Sequence, residues 1–518
     1  MERMDQRSNA AHCPGRPTLI RMKRDALILT RGVIVMAAAM LTMMAAELAA
    51  DLSNGGYALA GLSHLSVAEA RHLTNGFSRS FNQLVGVAFT TIAIAVPLTA
   101  NMYSLKFLEF IIKDRIIAAI LILVVFANLN NIWVMYALKD DFVPVVSIHI
   151  SLAMSIFTFA LLFPYLYYIF RFLHPNTLLE RLGDEIVGDL QRAARQPGRA
   201  GHYRREVSDN IEHIANIAIR SIDRADRNTA IECIHTLERV AHAYWAIKGG
   251  FDSKWFDAEP SLFLGFSSKA VLEIDESRSW VEMKLFSQFR YVMSAAVPKM
   301  HDLVSTVAKT LRRLGIHEAA QRDVALRELV VEYFNTFIRM AIVRKDTRAV
   351  FSLFDQYRAY AESLNNEAPE LVQEIAFYFE YYGQVAREGG LTFIVESVAH
   401  DLGVLVQHAY QNNAANRHKL LDRFLHYDQP AKTPLPGVKK AQAILASYLM
   451  TAGRSEEAAL IGQSFAGLEP KMVEAVKDDL LHIKREKYWE INERRINMDY
   501  VPDDQREKLK QFFEKLKM

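Results

Sequence analysis

The sequence predicts an all-α membrane protein, with a four-helix transmembrane bundle followed by a large cytoplasmic α-helical, solenoid-like domain. Long apolar stretches are confined to the first third of the 518 residues, and the remainder is polar, charged and helical in its periodicity. The mean hydropathy of +0.02 averages over these two parts. A hydrophobic content of 51% with 23% charged residues excludes a disordered chain.

Four stretches are each long enough to cross a bilayer, which takes roughly 20 residues of helix. They are residues 32–50, 81–103, 116–138 and 143–173. A cleavable signal peptide is the alternative for the first stretch, but its polar leader is long and three further spans follow. Ahead of the second span, the capping-box spacing of Ser66 and Glu69 predicts the start of a short helix that leads to this span.

Lysine and arginine residues are concentrated in the N-terminal tail, between the second and third spans, and after the fourth. Cytoplasmic loops are enriched in these residues, so both termini are predicted to be cytoplasmic. The resulting organisation is a basic tail (1–31), a transmembrane domain (32–174), a basic juxtamembrane linker (175–207) and two helical regions (208–345 and 346–518).

Several polar residues lie within the predicted spans, where such groups are costly and mark candidate sites. Asn128 and Asn131 are three residues apart and therefore share one face of a helix. One interpretation is a pore; the alternative is that Asn, Ser and Thr hydrogen-bond across packed helices while Glu47 and His149 reach the membrane surface. The candidates are Glu47, Thr90, Thr91, Thr99, Asn101, Asn128, Asn131, His149, Ser151 and Ser155.

A cluster of arginines follows the fourth span. Such a cluster suits anionic lipid headgroups, to which each nearby cation contributes about 1 kcal/mol. A solvated linker is the alternative interpretation. The predicted headgroup residues are Arg192, Arg195, Arg199, Arg204 and Arg205.

From about residue 208 the chain has the pattern of successive helices with short polar breaks. Residues 249–279 are irregular and rich in aromatic residues, and either pack over helices or touch the membrane interface. Residues 443–465 resemble one tetratricopeptide unit, with Gly453 and Arg454 at its turn. The chain ends in a short, charged amphipathic helix.

Catalytic chemistry is not expected, because no phosphate-binding loop, dinucleotide fingerprint or nucleophile elbow is present in the sequence. Glu232 and His235 have the Glu-x-x-His spacing of di-iron bundles, followed by Glu238 and His242, but a matching second helix is missing. Salt-bridged surface helices are the favoured interpretation, and no metal or cofactor is predicted. Cys233 is predicted to be a buried structural thiol. A net charge of +2 provides no basic field for nucleic acid.

Two patches of the sequence contain motifs in a fixed order. The first has an acidic-Ala-Arg lead, a Thr-rich span and a basic segment that ends in Asp-Arg; its residues are Glu69, Arg71, Ser104, Lys106, Asp114 and Arg115. The second has a helix, a short connection and a Thr-Ala helix start; its residues are Arg220, Asn228 and Thr229. Both patches resemble a bacterial family of predicted membrane proteins with a domain of unknown function, although Leu105 replaces that family's proline. The resemblance implies a polytopic inner-membrane protein and no established reaction.

Three functional classes remain. A homo-oligomeric ion channel or pore is favoured, because a single span would suffice for anchoring and the several spans carry aligned polar residues. A membrane-anchored scaffold is the alternative, because the helical domain is larger than a gate needs. An enzyme with an unrecognised site ranks third. The expected partners are the lipid bilayer, further copies of the chain, through the alanine-rich first span, and cytoplasmic proteins.

Overall fold

The computed structural model of the protein describes residues 67–103, 111, 114–138, 145–427, 434–490 and 494–516. Within these ranges every regular element is a helix, in agreement with the predicted all-α class. The chain divides into two compact units, Met1–Glu185 and Ile186–Met518. The first predicted span, with Glu47, lies outside the described residues, and so do Ser104 and Lys106.

The described residues of the first unit include three apolar helices that are long enough to cross a membrane: α1 (Val67–Met102), α2 (Arg115–Ala137) and α3 (Val145–Phe172). Each of the three packs against the other two. They coincide with the second, third and fourth predicted spans. The helix α4 (Pro175–Arg195) follows them in the chain.

Helix α1 extends one prediction. The helix expected from Ser66 and Glu69 leads into the second span, and the two form one uninterrupted helix of 36 residues. No proline or turn motif separates residues 67–80 from the apolar part, and Gly76 alone is tolerated inside a helix. With a length of about 54 Å, α1 is longer than the roughly 30 Å hydrocarbon core of a bilayer.

The core of this bundle consists of two apolar clusters. The larger one joins all three helices, and its buried residues are Ala88, Ile117, Ile120, Val124, Leu162, Tyr165 and Ile169. The smaller one lies toward the other end of the bundle and contains Ala70, Val134, Leu138 and Ile148. The rest of the bundle surface is largely apolar, with Ile122, Trp133 and Phe163 each more than 60% exposed. Such a surface fits a hydrocarbon solvent.

The second unit contains fifteen further described helices. In chain order they are α5 (Ala200–Asp223), α6 (Arg227–Trp245), α7 (Ser268–Glu276), α8 (Trp280–Ala296), α9 (His301–Gly315), α10 (Glu318–Gln321), α11 (Val324–Val343), α12 (Thr347–Leu364), α13 (Pro369–Glu388), α14 (Thr392–Gln411), α15 (Arg417–His426), α16 (Pro436–Thr451), α17 (Ser455–Gln463), α18 (Pro470–His482) and α19 (Asp503–Leu516).

These helices form two rows. In one row α6, α9, α12, α14, α16 and α19 pack successively, each against the next. In the other row α5, α8, α11, α13 and α15 do the same. Because each helix contacts mainly its neighbours along the chain, the arrangement has the predicted solenoid-like character.

The turns between paired helices share one backbone geometry. Ala225 and Lys345 adopt φ values of 58° and 55°, in the left-handed region. Asp226 and Asp346 follow them, donate their backbone N–H groups to carbonyls five residues earlier, and accept from the start of the next helix. Gly453 has the same position between α16 and α17, with a φ of 74°, which confirms the predicted turn of that hairpin.

Candidate intramembrane polar site

Asn131 is the centre of a buried polar cluster between α2 and α3. Its amide nitrogen donates to Ser155 Oγ at 3.1 Å, and Ser151 Oγ donates to its carbonyl oxygen. The side chains of Asn131 and Ser151 are fully buried, and Ser155 is nearly so. The cluster therefore satisfies its hydrogen bonds by helix packing, which is the alternative interpretation offered for these three candidates.

Asn128 lies three residues from Asn131 but has a different partner. Its amide nitrogen donates to Asn82 Oδ1 on α1 at 2.6 Å, close to the bundle surface. His149, near the start of α3, is half-buried. Asn128 and Asn131 thus connect α2 to different neighbours, although they belong to one helical face.

The threonine candidates of α1 are bonded within their own helix. The hydroxyl groups of Thr90, Thr91 and Thr99 each donate to the carbonyl four residues earlier, at 2.8, 2.9 and 2.9 Å. Each oxygen keeps lone pairs that can accept a further hydrogen bond. Thr90 and Thr91 are exposed, and so are Gln83 and Asn101.

Gln83, Thr90 and Asn101 together define the α1 polar face. Gln83 and Asn101 are 18 residues apart, which is about five turns and about 27 Å of axial rise, so they have the same orientation. Thr90 lies within about 20° of that direction. The face contains apolar interruptions, since Val87 and Ile94 are 67% and 64% exposed beside it. Gln83 is not among the predicted intramembrane polar residues, because it lies near the start of the predicted span 81–103.

Asp114 anchors one end of the bundle. Its Oδ1 accepts from the backbone N–H groups of Ile116 and Ile117 at 2.9 and 3.2 Å, so it caps α2. Its Oδ2 accepts from Tyr168 Oη at 2.8 Å and lies 3.6 Å from the guanidinium of Arg181, at the start of α4. The motif residue Asp114 therefore joins α2, α3 and α4 within the first unit. No local pattern in the sequence indicates Tyr168 or Arg181 as its partners.

The arginine cluster divides into exposed and buried members. Arg192, Arg195, Arg199 and Arg205 are exposed, and Arg192 pairs with Asp189 at 2.6 Å. Arg204 does not fit the predicted contact with anionic headgroups, because its side chain is only 7% exposed.

Arg204 instead holds the aromatic loop of residues 249–279 against α5. Its guanidinium donates to the backbone carbonyls of Lys254 and Asp257 at 2.7 and 2.5 Å and to Glu259 at 2.9 Å. Within the same loop Trp255 is buried and stacks on Phe251, with ring centroids 4.6 Å apart. This part of the loop packs over helices, as one of the two interpretations predicted. The spacing of arginines cannot show which one faces inward.

The Glu-x-x-His helix, α6, carries a salt bridge. Glu238 accepts from two nitrogens of Arg313 at 2.6 and 2.7 Å. Burial opposes its ionisation, but Arg313 and His235 hold the pKa of Glu238 at about 2. Among the described residues, no three His, Cys, Asp or Glu side chains are placed to hold a metal ion. Cys233 is fully buried, and burial raises the pKa of its thiol.

The part of the chain that matches a known family contains the three long apolar helices. Residues 24–210 match the family described as predicted membrane protein (DUF2254). This match confirms the predicted resemblance. It covers α1 to α4 and the first part of α5, and includes Glu69, Arg71, Asp114 and Arg115. The second motif patch lies beyond it: Arg220 and Asn228 are exposed, whereas Thr229 is buried at the start of α6.

Comparison with characterised proteins adds little. No curated protein matches the chain. Among solved structures, a circular tandem repeat protein with novel repeat topology and enhanced subunit contact surfaces is 14% identical and covers 86% of this chain and 98% of its own. Its TM-score of 0.24 is too low to indicate a shared fold.

Proposed function

We propose that the protein is a non-enzymatic, homo-oligomeric channel or pore of the bacterial inner membrane, with both termini in the cytoplasm and a regulatory helical domain. The observation that carries the proposal is the exposed α1 polar face. Asn131, Ser151 and Ser155 are buried between α2 and α3, so they are not available to line a pore. Helix α1 instead turns Gln83, Thr90 and Asn101 outward.

The length and the chemistry of the α1 polar face support a pore that is lined by several subunits. A carboxamide facing hydrocarbon has a desolvation cost, so the exposed Gln83 favours a polar neighbour or water. The face extends about 27 Å, close to the thickness of a bilayer core. Copies of α1 arranged around an axis provide both neighbours and water. The exposed threonine oxygens add acceptors of the kind that line pores.

Ion flux through the purified protein in liposomes tests the proposal. The double variant Gln83→Leu/Asn101→Leu is expected to lower the flux at least tenfold, and Gln83→Glu is expected to raise selectivity for cations. Phe89→Leu is the matched control, because Phe89 lies on another side of α1 and is 38% exposed. Wild-type flux no greater than that of empty liposomes, or unchanged flux in the double variant, contradicts the proposal.

A scaffold role is the second candidate, and an exposed aromatic surface in the helical domain favours it. Phe377 and Tyr381 on α13 are 46% and 41% exposed, with ring centroids 6.4 Å apart. Arg423 lies 5.5 Å from the Phe377 ring, and Arg339 lies 5.8 Å from the Tyr381 ring. Aromatic and arginine side chains are enriched in the energetic centres of protein interfaces.

Quantitative co-purification from the native membrane tests the second candidate. Phe377→Ala/Tyr381→Ala is expected to release specific cytoplasmic partners, while Phe393→Ala, an exposed aromatic residue on α14, retains them. An identical partner profile for all three proteins contradicts a scaffold role for this surface. Liposome flux is measured on the same variants, so the two functions are separated.

A further inference from the structure

A cavity of the helical domain lies among its last four helices. Its volume is about 730 Å³, within the range of about 300–1,000 Å³ that small-molecule sites occupy. It opens beside the hairpin of α16 and α17 and is bordered by α18 and by the C-terminal helix α19. Residues from all four helices line it, so the cavity is formed by tertiary packing.

The wall of the cavity is predominantly apolar. Its apolar lining residues include Phe465, Val473, Phe512 and Leu516. On α17 the lining residues are small, among them Ala459 and Gly462, and the small side chains leave the space open. Protein interiors are otherwise packed to the density of organic crystals, so an apolar space of this size favours an apolar occupant.

Two lysines add charge to this apolar lining. Lys477 on α18 and Lys515 on α19 both line the cavity. Within the described part of the chain, neither forms an ion pair or a hydrogen bond, unlike most cations of the domain. Glu474 is the one acidic residue among those that line the cavity. The combination of two unpaired cations with an apolar wall is complementary to an anionic amphiphile.

We propose that this cavity binds a long-chain fatty acid, with the acyl chain among α17, α18 and α19 and the carboxylate at Lys477 and Lys515. A single unbranched acyl chain fits an apolar space of about 730 Å³ between helices. A carboxylate matches the net single positive charge of the lining, which is two lysines and one glutamate. The proposal concerns the helical domain and does not depend on the channel proposal.

Photocrosslinking of the full-length protein in nanodiscs tests this site. The probe is palmitate with a diazirine in its chain, and the labelled peptides are mapped by mass spectrometry. Labelling is expected within residues 455–477 and 503–516, with competition by unlabelled palmitate and not by its methyl ester. Labelling spread evenly over the chain, or equal competition by the ester, overturns the proposal.

Variants separate the carboxylate contact from the apolar contact. Lys477→Gln/Lys515→Gln is expected to weaken palmitate competition about tenfold, which corresponds to about 1.4 kcal/mol. The matched control is Lys471→Gln/Lys510→Gln, two changes on the same helices away from the cavity. Ala459→Trp fills the space and is expected to abolish labelling. If a photoactivatable phosphatidylcholine labels these peptides and palmitate does not, the occupant is a bilayer lipid. If the α19 peptides are labelled from a second copy of the chain, the cavity is a protein contact. Either result overturns the proposal.

Discussion

The ion pair between Asp401 and Arg494 provides a quantitative test of how the helical domain is held together. Asp401 on α14 is fully buried, and the side chain of Arg494, which follows α18, is 2% exposed. Two nitrogens of Arg494 donate to the carboxylate at 2.6 and 2.9 Å, and Arg358 on α12 donates a third bond at 3.1 Å. Asp401→Asn removes the charge that both arginines share and leaves the side-chain shape nearly unchanged.

The expected cost follows from the partners that remain. Arg358 keeps two other carboxylates. Arg494 keeps the Phe351 carbonyl oxygen at 2.7 Å, and Asp355 lies 3.7 Å away. Breaking a buried ion pair by removing one partner costs about 3–5 kcal/mol. Because Asp355 still compensates part of the charge, we expect the lower end, about 3 kcal/mol.

Urea unfolding of the full-length protein in detergent, followed by tryptophan fluorescence, measures this cost. Asp422→Asn is the control, because Asp422 is 76% exposed and pairs with His426 at 3.5 Å; we expect a change of about 0.5 kcal/mol or less. Adding Arg494→Met to Asp401→Asn is expected to cost little more, since the two residues act as a unit. Equal unfolding free energies for Asp401→Asn and Asp422→Asn refute the reasoning.

Three further predictions use the same kind of measurement. Burial holds the pKa of His400 at about 4, so between pH 6.5 and 4 the unfolded chain binds a proton that the folded chain does not. The free energy of unfolding is therefore expected to fall by about 3 kcal/mol as the pH is lowered over that interval. His400→Gln is expected to flatten this part of the pH profile measured by urea unfolding. Asn131→Leu removes the polar link between α2 and α3 and is expected to cost about 1 kcal/mol in unfolding by sodium dodecyl sulfate, with ion flux retained. At Gly383 an added Cβ atom would overlap the Oη of buried Tyr427, so Gly383→Ala is expected to cost about 1–3 kcal/mol in thermal unfolding. Gly198→Ala is the control, because an added Cβ atom there meets nothing within 4 Å, and it is expected to leave the transition unchanged.

Features with a local physical cause were predictable from the sequence. The spans 116–138 and 143–173 coincide with α2 and α3 because apolar length alone sets them. The turn at Gly453 was predictable because a left-handed residue between two amphipathic segments favours glycine. The continuous length of α1 was not, since a capping motif marks where a helix begins and not whether it continues into the next segment.

Features that depend on helix rotation or distant contacts were not predictable. Asn128 and Asn131 share a helical face, yet one lies near the bundle surface and the other is buried, because the positions of α1 and α3 decide this. Arg204 belongs to a run of arginines, and only the folded loop shows that it is buried. Asp401 and Arg494 are 93 residues apart, and no local pattern pairs them.

The central claim is that copies of α1 line a path through the membrane. The most direct measurement is a cryo-electron microscopy structure of the full-length protein in nanodiscs. The channel proposal predicts a symmetric ring in which Gln83, Thr90 and Asn101 of every subunit face a continuous axial path. A monomer, or a ring in which α1 faces lipid and apolar side chains close the axis, contradicts it.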